Sequence, residues 1–138
     1  MSYKTAYLET AFLNEVFKNT NFVPLVGVYV GLFTTSPTND LQSGSNGSTE
    51  VSGGAYARQS VVAASWNAPT GTPSAVTNSA IITFPTASAG WGTVTGFGIF
   101  DALTTGNLLY YGTLTASKTV AIGDVLQFNA SAISISED

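Results

Sequence analysis

One stretch of the chain, residues 91–112, constrains the fold more than any other. Two runs rich in β-branched and aromatic residues flank the sequence Thr104-Thr-Gly-Asn107, and this pattern is typical of a β-hairpin. Almost all polar side chains in the stretch are threonine or asparagine, and its ionisable groups are Asp101 and two tyrosines. The stretch therefore predicts a rigid scaffold rather than a reaction centre.

Hydrophobic spacing predicts one helix and several further strands around this hairpin. Apolar residues recur at intervals of three and four from Thr5 to Lys18, with Leu13 and Phe17 beside them, which indicates one broad apolar helical face. Ser2 is a candidate N-cap for this helix. Strands are predicted at 26–35, 56–65, 79–84 and 125–136, the last with a bulge near Ser131. These elements predict a mainly β fold, an antiparallel β-sandwich or flattened barrel with one N-terminal α-helix.

The length of 138 residues fits a single domain, 1–138, with one hydrophobic core. Within it we expect the helix at about 5–18 and the β-sandwich at about 26–136. The segment at about 36–54 is rich in glycine and serine and predicts a long exposed loop. A loop of this length is either a mobile surface feature or an arm that orders on a neighbouring subunit.

The surface chemistry favours association with other protein molecules. Charged residues are only 9% of the chain, against about a quarter in an ordinary soluble domain. Hydroxyls and amides cost less to bury in an interface than ions do, so we expect an assembly subunit that binds copies of itself. Four basic residues and a net charge of −4 predict no nucleic-acid partner. No signal sequence or run of about 20 apolar residues is present, so no membrane partner is expected.

The chain offers few groups for catalysis, and we expect no enzymatic activity. It contains neither histidine, the commonest general base and zinc ligand, nor cysteine. Ser117 and Lys118 are neighbours on a predicted strand and should point to opposite faces. Asp101 and Asp124 are acids in turns, which usually cap their own backbone. Gly96-Phe-Gly98 is not followed by the helix of a phosphate loop, and glycine there indicates a bend or a close backbone approach. The sequence therefore predicts no catalytic residue, no cofactor and no metal site.

Nine residues are candidates for contacts with a partner. They lie on the helix face, in the 36–54 loop, at the single arginine and at the two tryptophans: Leu8, Phe12, Val16, Asn39, Asp40, Leu41, Arg58, Trp66 and Trp91. The helix face either packs on its own sheet or docks on a neighbouring subunit. The arginine either makes a bidentate bond to an acid or carbonyl within the chain or contacts a partner. The tryptophans are either buried in the core or stack on sugar rings.

Seven groups of residues spread over almost the whole chain carry a family resemblance. They are Tyr7-Leu-Glu9 with Leu13, Tyr29-Val-Gly-Leu-Phe-Thr34 with Pro37-Thr38, Thr49-Glu-Val-Ser-Gly-Gly-Ala-Tyr-Ala-Arg-Gln59, Ile82-Thr-Phe-Pro85, Trp91-Gly-Thr-Val94, Phe97-Gly-Ile-Phe-Asp-Ala102 and Gly106-Asn-Leu-Leu-Tyr-Tyr-Gly112. Together they resemble a family of small tailed-bacteriophage virion proteins, commonly named tail-fibre or structural proteins. The resemblance implies a virion component that is made in the bacterial host cytoplasm, and it brings no catalytic residues.

Two places in the virion are compatible with that resemblance. A fibre subunit is usually long, with a repetitive shaft and a separate attachment domain, whereas this chain has no internal repeat. This favours a capsid decoration or cement protein on the capsid surface, expected as a homotrimer. It would bind the major capsid protein through the terminal helix or the 36–54 loop. The alternative is a protein of the tail or tail fibre that binds a host glycan.

Overall fold

The computed structural model describes residues 2–23 and 25–137, which form one helix and ten strands. In chain order the elements are β1 (Ser2–Lys4), α1 (Ala6–Lys18), β2 (Gly27–Thr35), β3 (Thr49–Glu50), β4 (Gln59–Val62), a 3₁₀ turn (Ala63–Ser65), β5 (Ser74–Thr77), β6 (Ile82–Thr83), β7 (Gly92–Phe100), β8 (Leu108–Val120), β9 (Gln127–Phe128) and β10 (Ser134–Glu137). Every strand pair is antiparallel. The predicted mainly β fold with one N-terminal helix is therefore confirmed.

The strands form two layers around the main core. Six strands make the large sheet in the order β1-β8-β7-β2-β3, with β4 also pairing with β2. The pairs β5–β10 and β6–β9 make two small sheets. The main hydrophobic cluster contains side chains from both the large sheet, such as Leu32 and Ile99, and the segments around the small sheets, such as Phe84, Leu126 and Ile133. The core therefore lies between the large sheet and the small ones.

The hairpin predicted at 91–112 is the centre of the large sheet. β7 and β8 pair from Gly92 opposite Val120 to Phe100 opposite Leu108, so the hairpin extends beyond residue 112. The turn that joins the two strands is held by Asp101, whose carboxylate accepts hydrogen bonds from the backbone N–H (2.6 Å) and side-chain amide (2.8 Å) of Asn107.

The other predicted strands are present but shorter, and three short strands were not predicted. β2 matches the strand predicted at 26–35, whereas β4 and β6 retain only parts of the strands predicted at 56–65 and 79–84. The strand predicted at 125–136 is broken by a turn in which Ser131 has a φ of 64°, so the expected bulge was wrong. The unpredicted strands β1, β3 and β5 are only three, two and four residues long, too short to show a hydrophobic period.

The second face of the large sheet carries a smaller aromatic cluster. Phe33, Phe100, Leu108 and Tyr111 pack together there. Glycine makes room for this cluster, because a Cβ on Gly98 would lie 2.7 Å from Leu108 Cδ1 and 2.8 Å from Phe33 Cε2. At Gly98 the close approach predicted for the Gly96-Phe-Gly98 motif is thus the packing of side chains over a bare backbone, whereas a Cβ on Gly96 would lie 2.9 Å from the carbonyl oxygen of Gly112.

The helix begins where the sequence predicted but is fixed differently at its start. Ser2 is a strand residue whose hydroxyl accepts a hydrogen bond from Ser136 N (3.1 Å), so the predicted N-cap role was wrong. Thr5 occupies the N-cap position, and its hydroxyl donates to the carbonyl of Leu108 (2.7 Å) instead of capping the helix. The helix start is therefore tied to the end of the central hairpin. The helix ends at Asn19, which has a left-handed backbone.

The 36–54 segment is held to the rest of the chain at several points. Asn46 is fully buried; its amide donates to the carbonyl of Leu41 (3.0 Å), and its side-chain oxygen accepts from Ser48 N (3.0 Å). The side-chain amide of Gln42 pairs with the backbone of Leu108: its oxygen accepts from Leu108 N (2.6 Å), and its nitrogen donates to the Leu108 carbonyl (3.0 Å). Most of the segment is exposed, as predicted, but Asn46 is buried within it, and a buried amide can organise a polar loop.

Candidate assembly surface

The second half of the helix and the segment after it carry apolar side chains that the chain does not cover. Leu8 is the only buried helix residue, and every residue from 13 to 21 is exposed. Val16, Phe17 and Val26 are 72%, 76% and 90% exposed. The exposed large apolar residues of this region are Leu13, Val16, Phe17, Val23, Leu25 and Val26, and we call these six residues the arm surface.

The chain after the helix turns back along it. Phe22 packs edge-on against Phe12, with ring centroids 5.8 Å apart, and the Lys4 ammonium lies 5.5 Å from the centre of the Phe12 ring. A groove of about 690 Å³ runs between Tyr7, Thr10 and Asn14 of the helix and the returning segment. The Phe12–Phe22 contact therefore fixes the returning segment against the helix, while the side chains of the arm surface remain in solvent.

The three helix residues that were predicted to contact a partner differ in burial, so the helix face partly packs on its own fold and is partly left open to a neighbouring subunit. Leu8 is 2% exposed and packs within the chain, Phe12 is half-buried, and Val16 is exposed. The first turns of the helix thus cover the chain's own fold, and the last turns present an apolar surface. Exposed apolar surface of this extent is typical of protein interaction sites.

The predicted loop contacts lie beside the start of the helix. Asn39, Asp40 and Leu41 are all exposed. The Asp40 carbonyl accepts a hydrogen bond from Ala6 N (2.9 Å), and the Asn39 side chain accepts one from Leu41 N (3.0 Å). The backbone of this loop is therefore fixed, and the Leu41 side chain is half-exposed.

The single arginine makes all its observed contacts inside the chain. Arg58 is buried, and its guanidinium donates two 2.8 Å hydrogen bonds to the Glu50 carboxylate and two more to the carbonyls of Ala102 and Thr105. It also stacks 3.5 Å from the centre of the Phe100 ring. This is the bidentate structural role that the sequence predicted as one of two alternatives.

A tyrosine completes the Arg58–Glu50 ion pair. The Tyr56 hydroxyl donates to Glu50 (2.8 Å) and accepts from the backbone N–H of Leu32 (2.9 Å), at the gap between β3 and β4 on the edge of β2. Burial, and then the neighbouring Glu50 carboxylate, raise the pKa of Tyr56 well above its usual value. The hydroxyl is therefore a neutral donor, suited to holding the carboxylate.

The two tryptophans lie in different environments. Trp91 is 5% exposed, packs edge-on against Tyr56 and Phe84, and donates its indole N–H to the carbonyl of Gly54 (2.8 Å). It is a core residue, so the sugar-stacking alternative is wrong for Trp91. Trp66 is half-buried and lines a cleft of about 260 Å³.

The Trp66 cleft has apolar walls and one carboxylate at its rim. The walls include Val28, Pro69, Val76, Ile99 and Ile135 besides Trp66. At the rim Glu137 accepts a hydrogen bond from the Tyr110 hydroxyl and pairs with the Lys4 ammonium at 2.7 Å. Burial, and then the hydrogen bond to Glu137, raise the pKa of Tyr110.

The candidate catalytic pairs are not assembled into a site. Asp124 accepts a hydrogen bond from Ala121 N (2.9 Å), so it caps its own turn as Asp101 does. The two acids lie at opposite ends of the β7–β8 hairpin, roughly 25 Å apart at the usual rise per strand residue. A glycosidase needs its two carboxylates within about 10 Å. Ser117 and Lys118 are both exposed on β8.

Within residues 2–23 and 25–137, no group of three or more acidic, histidine or cysteine side chains is placed to hold a metal ion. In the same residues, no helix has both the length and the hydrophobicity that a membrane span requires.

Five members of the arm surface were absent from the predicted contacts. Leu13 and Phe17 were visible as apolar neighbours of the helix face. Val23, Leu25 and Val26 lie in or next to what the sequence presented as a connection to the first strand. Their signal was an apolar run between the helix and β2, and the reversal of the chain after Asn19 places Val23 and Leu25 of this run beside the helix.

Comparison with known protein families gives a match over almost the whole chain. The family model described as Gp80, podophage GP4 fiber I protein gp80, matches residues 4–136. No curated protein matches the chain.

Proposed function

This chain belongs to the podophage GP4 fiber I protein gp80 family, and we propose that it is a fibre subunit that binds copies of itself through the arm surface. A match over residues 4–136 makes it a phage virion structural protein. The finer assignment, to a fibre, follows from the name of the family. Its role there is mechanical, without catalysis.

The exposure of the arm surface carries this proposal. At roughly 150–200 Å² for a fully exposed large apolar residue, its six residues present on the order of 600 Å². Each partner of a standard stable interface contributes about 800 Å². The arm surface therefore supplies most of the area that one side of such an interface needs.

The rest of the surface supports binding between identical copies. With four basic and eight acidic residues in 138, two copies meet with little electrostatic repulsion. Residues around the arm surface, such as Asn14, Thr20 and Asn21, offer amides and hydroxyls for a polar rim. A homotrimer is the assembly that we expect.

The proposal is tested by light scattering on the purified chain. We expect the native chain to form a discrete oligomer, and the double variant Val16→Ser/Phe17→Ser to be monomeric. The matched control is Ile81→Ser/Ile122→Ser, since these two residues are 57% and 72% exposed but lie outside the arm surface. The proposal fails if the native chain is monomeric, or if the control dissociates as readily as the arm variant.

A capsid decoration or cement protein is the second candidate. The described residues form one layered fold with no repeated unit, whereas a fibre subunit usually has a shaft. In this role the arm surface or the 36–54 loop, which contains Leu41, binds the major capsid protein. Quantitative mass spectrometry of the virion separates the two candidates, because hundreds of copies indicate the capsid and a dozen or so the fibre. A decoration protein should also make particles more resistant to heat.

A further inference from the structure

The last turn of the helix carries one exposed aromatic side chain, Phe17, which we call the knob. Phe17 lies in the last turn of the helix, is 76% exposed, and is preceded by the equally exposed Val16. The basic residue Lys18 follows it directly. The last turn of the helix therefore presents an aromatic ring beside one ammonium group.

The Trp66 cleft is an apolar cavity on the same chain, and we call it the hole. Its volume is about 260 Å³, and a cavity of about 150 Å³ is already large enough for a benzene ring. Its walls are aliphatic and aromatic side chains. By contrast, the groove beside the helix is lined by several amides and hydroxyls, including Asn14, Thr20 and Asn21. The cleft is thus the better environment for a phenyl ring.

Charge also matches between the last turn of the helix and the cleft. Glu137 stands at the rim of the cleft, and its side chain is 41% exposed although it pairs with Lys4. A carboxylate has about four lone-pair sites and accepts a second ammonium. Lys18, next to Phe17, supplies one.

We propose that Phe17 of one copy inserts into the Trp66 cleft of a second copy, with Lys18 beside Glu137. This inference rests on the proposed self-assembly and specifies how it occurs. The contact is heterologous, since the knob and the hole are different patches of one chain. Such contacts close into a ring, as in a trimer, or continue as a stack, as in a fibre.

The test uses one variant without the knob and one with a blocked hole. Phe17→Ala removes the ring. Ser74→Trp places a bulky side chain at the exposed rim of the cleft, and Ser60→Trp, at an exposed position of β4, is its matched control. Circular dichroism establishes that each variant is folded, and Val76→Phe is a second blocking variant from within the cleft.

We expect Phe17→Ala and Ser74→Trp each to weaken self-association by at least about tenfold. Ser60→Trp should assemble like the native chain. Mixing the two weakened variants should restore a complex that stops at one copy of each, because the mixture contains one intact knob and one open hole. Light scattering measures all of these masses.

The contrary results separate this inference from the proposed function. A monomeric native chain overturns both. If Ser74→Trp assembles normally while Phe17→Ala does not, self-assembly stands and the cleft is not the receptor. A mixture that stays monomeric also overturns the heterologous contact. If Ser74→Trp assembles normally but lowers virion binding to host cells, the cleft serves a host glycan and the inference is wrong.

Discussion

The Arg58 site and the arm surface differ in how well the chain itself covers and pairs their side chains. Around Arg58, a charged group is taken out of water and given four hydrogen bonds and an aromatic ring. In the described residues no buried side-chain nitrogen or oxygen lacks a partner. On the arm, apolar side chains stay in water without a cover. The difference shows that the buried polar groups of the sheet are satisfied within one chain, and the uncovered side chains of the arm surface support the proposal that this surface binds another copy.

The largest expected effect comes from breaking the Arg58–Glu50 pair. Glu50→Ala leaves a buried guanidinium without its counter-charge, and we expect a loss of about 3–5 kcal/mol in the free energy of unfolding. Urea denaturation measures it. The control is Lys4→Ala, which removes the more exposed Lys4–Glu137 pair and should cost only about 0–1 kcal/mol. Equal losses would mean that the Arg58 site is not the stabilising feature described above.

A smaller loss is expected when the glycine under the aromatic cluster gains a methyl group. Gly98→Ala forces its Cβ against Leu108 and Phe33, which should cost about 1–3 kcal/mol. At Gly90 the nearest atom to an added Cβ is 3.7 Å away and φ is not positive, so Gly90→Ala should stay within about 0.5 kcal/mol. Thermal or urea unfolding of both variants compares them directly, and a harmless Gly98→Ala would contradict the packing.

Alkaline pH should weaken the sheet through its buried tyrosines. The pKa of Tyr56 and of Tyr110 is raised in the folded chain, mainly by burial, so above the usual value of 10.0 the unfolded chain binds fewer protons than the folded one. Their contribution to stability is present below pH 10 and is lost as pH rises above it. Each such tyrosine should add a slope of about 1.4 kcal/mol per pH unit. Urea unfolding between pH 9 and 11 should show a shallower slope for Tyr110→Phe, and an unchanged slope would contradict this account.

The smallest effect on folding is expected at the arm. Val16 is 72% exposed, so Val16→Ser should change the free energy of unfolding of the monomer by no more than about 0.5 kcal/mol. Ile122→Ser, at an equally exposed position, should behave in the same way. Unfolding at a concentration where both variants are monomeric tests this. A loss of several kcal/mol at Val16 would show that the arm is part of the core.

Sequence patterns predicted the elements that have enough length to show a period. The central hairpin and the helix were found because strands and helices of nine or more residues repeat their apolar spacing. Ser2–Lys4 and Ser74–Thr77 have no such signal, since they are strands only through their pairing with β8 and β10.

The candidate site was predictable only in part. A single arginine in a nearly uncharged chain indicated a bidentate pair, but nothing local identifies Glu50 or the carbonyls of Ala102 and Thr105 as its partners, because they come together only in the folded sheet. The helix showed an apolar face. How much of that face the sheet would cover depends on where the helix leaves the sheet, which three-dimensional contacts such as the Thr5–Leu108 hydrogen bond decide.

Cysteine labelling tests the central claim, that the arm surface is buried between copies, most directly. The chain has no cysteine, so Val16→Cys and Ile122→Cys each introduce a single thiol at an equally exposed position of the monomer. In the assembled protein we predict that the thiol at position 16 reacts with a maleimide at least about tenfold more slowly than the thiol at position 122, and that dilution to monomer makes the two rates equal. Equal rates in the assembled protein would contradict the account.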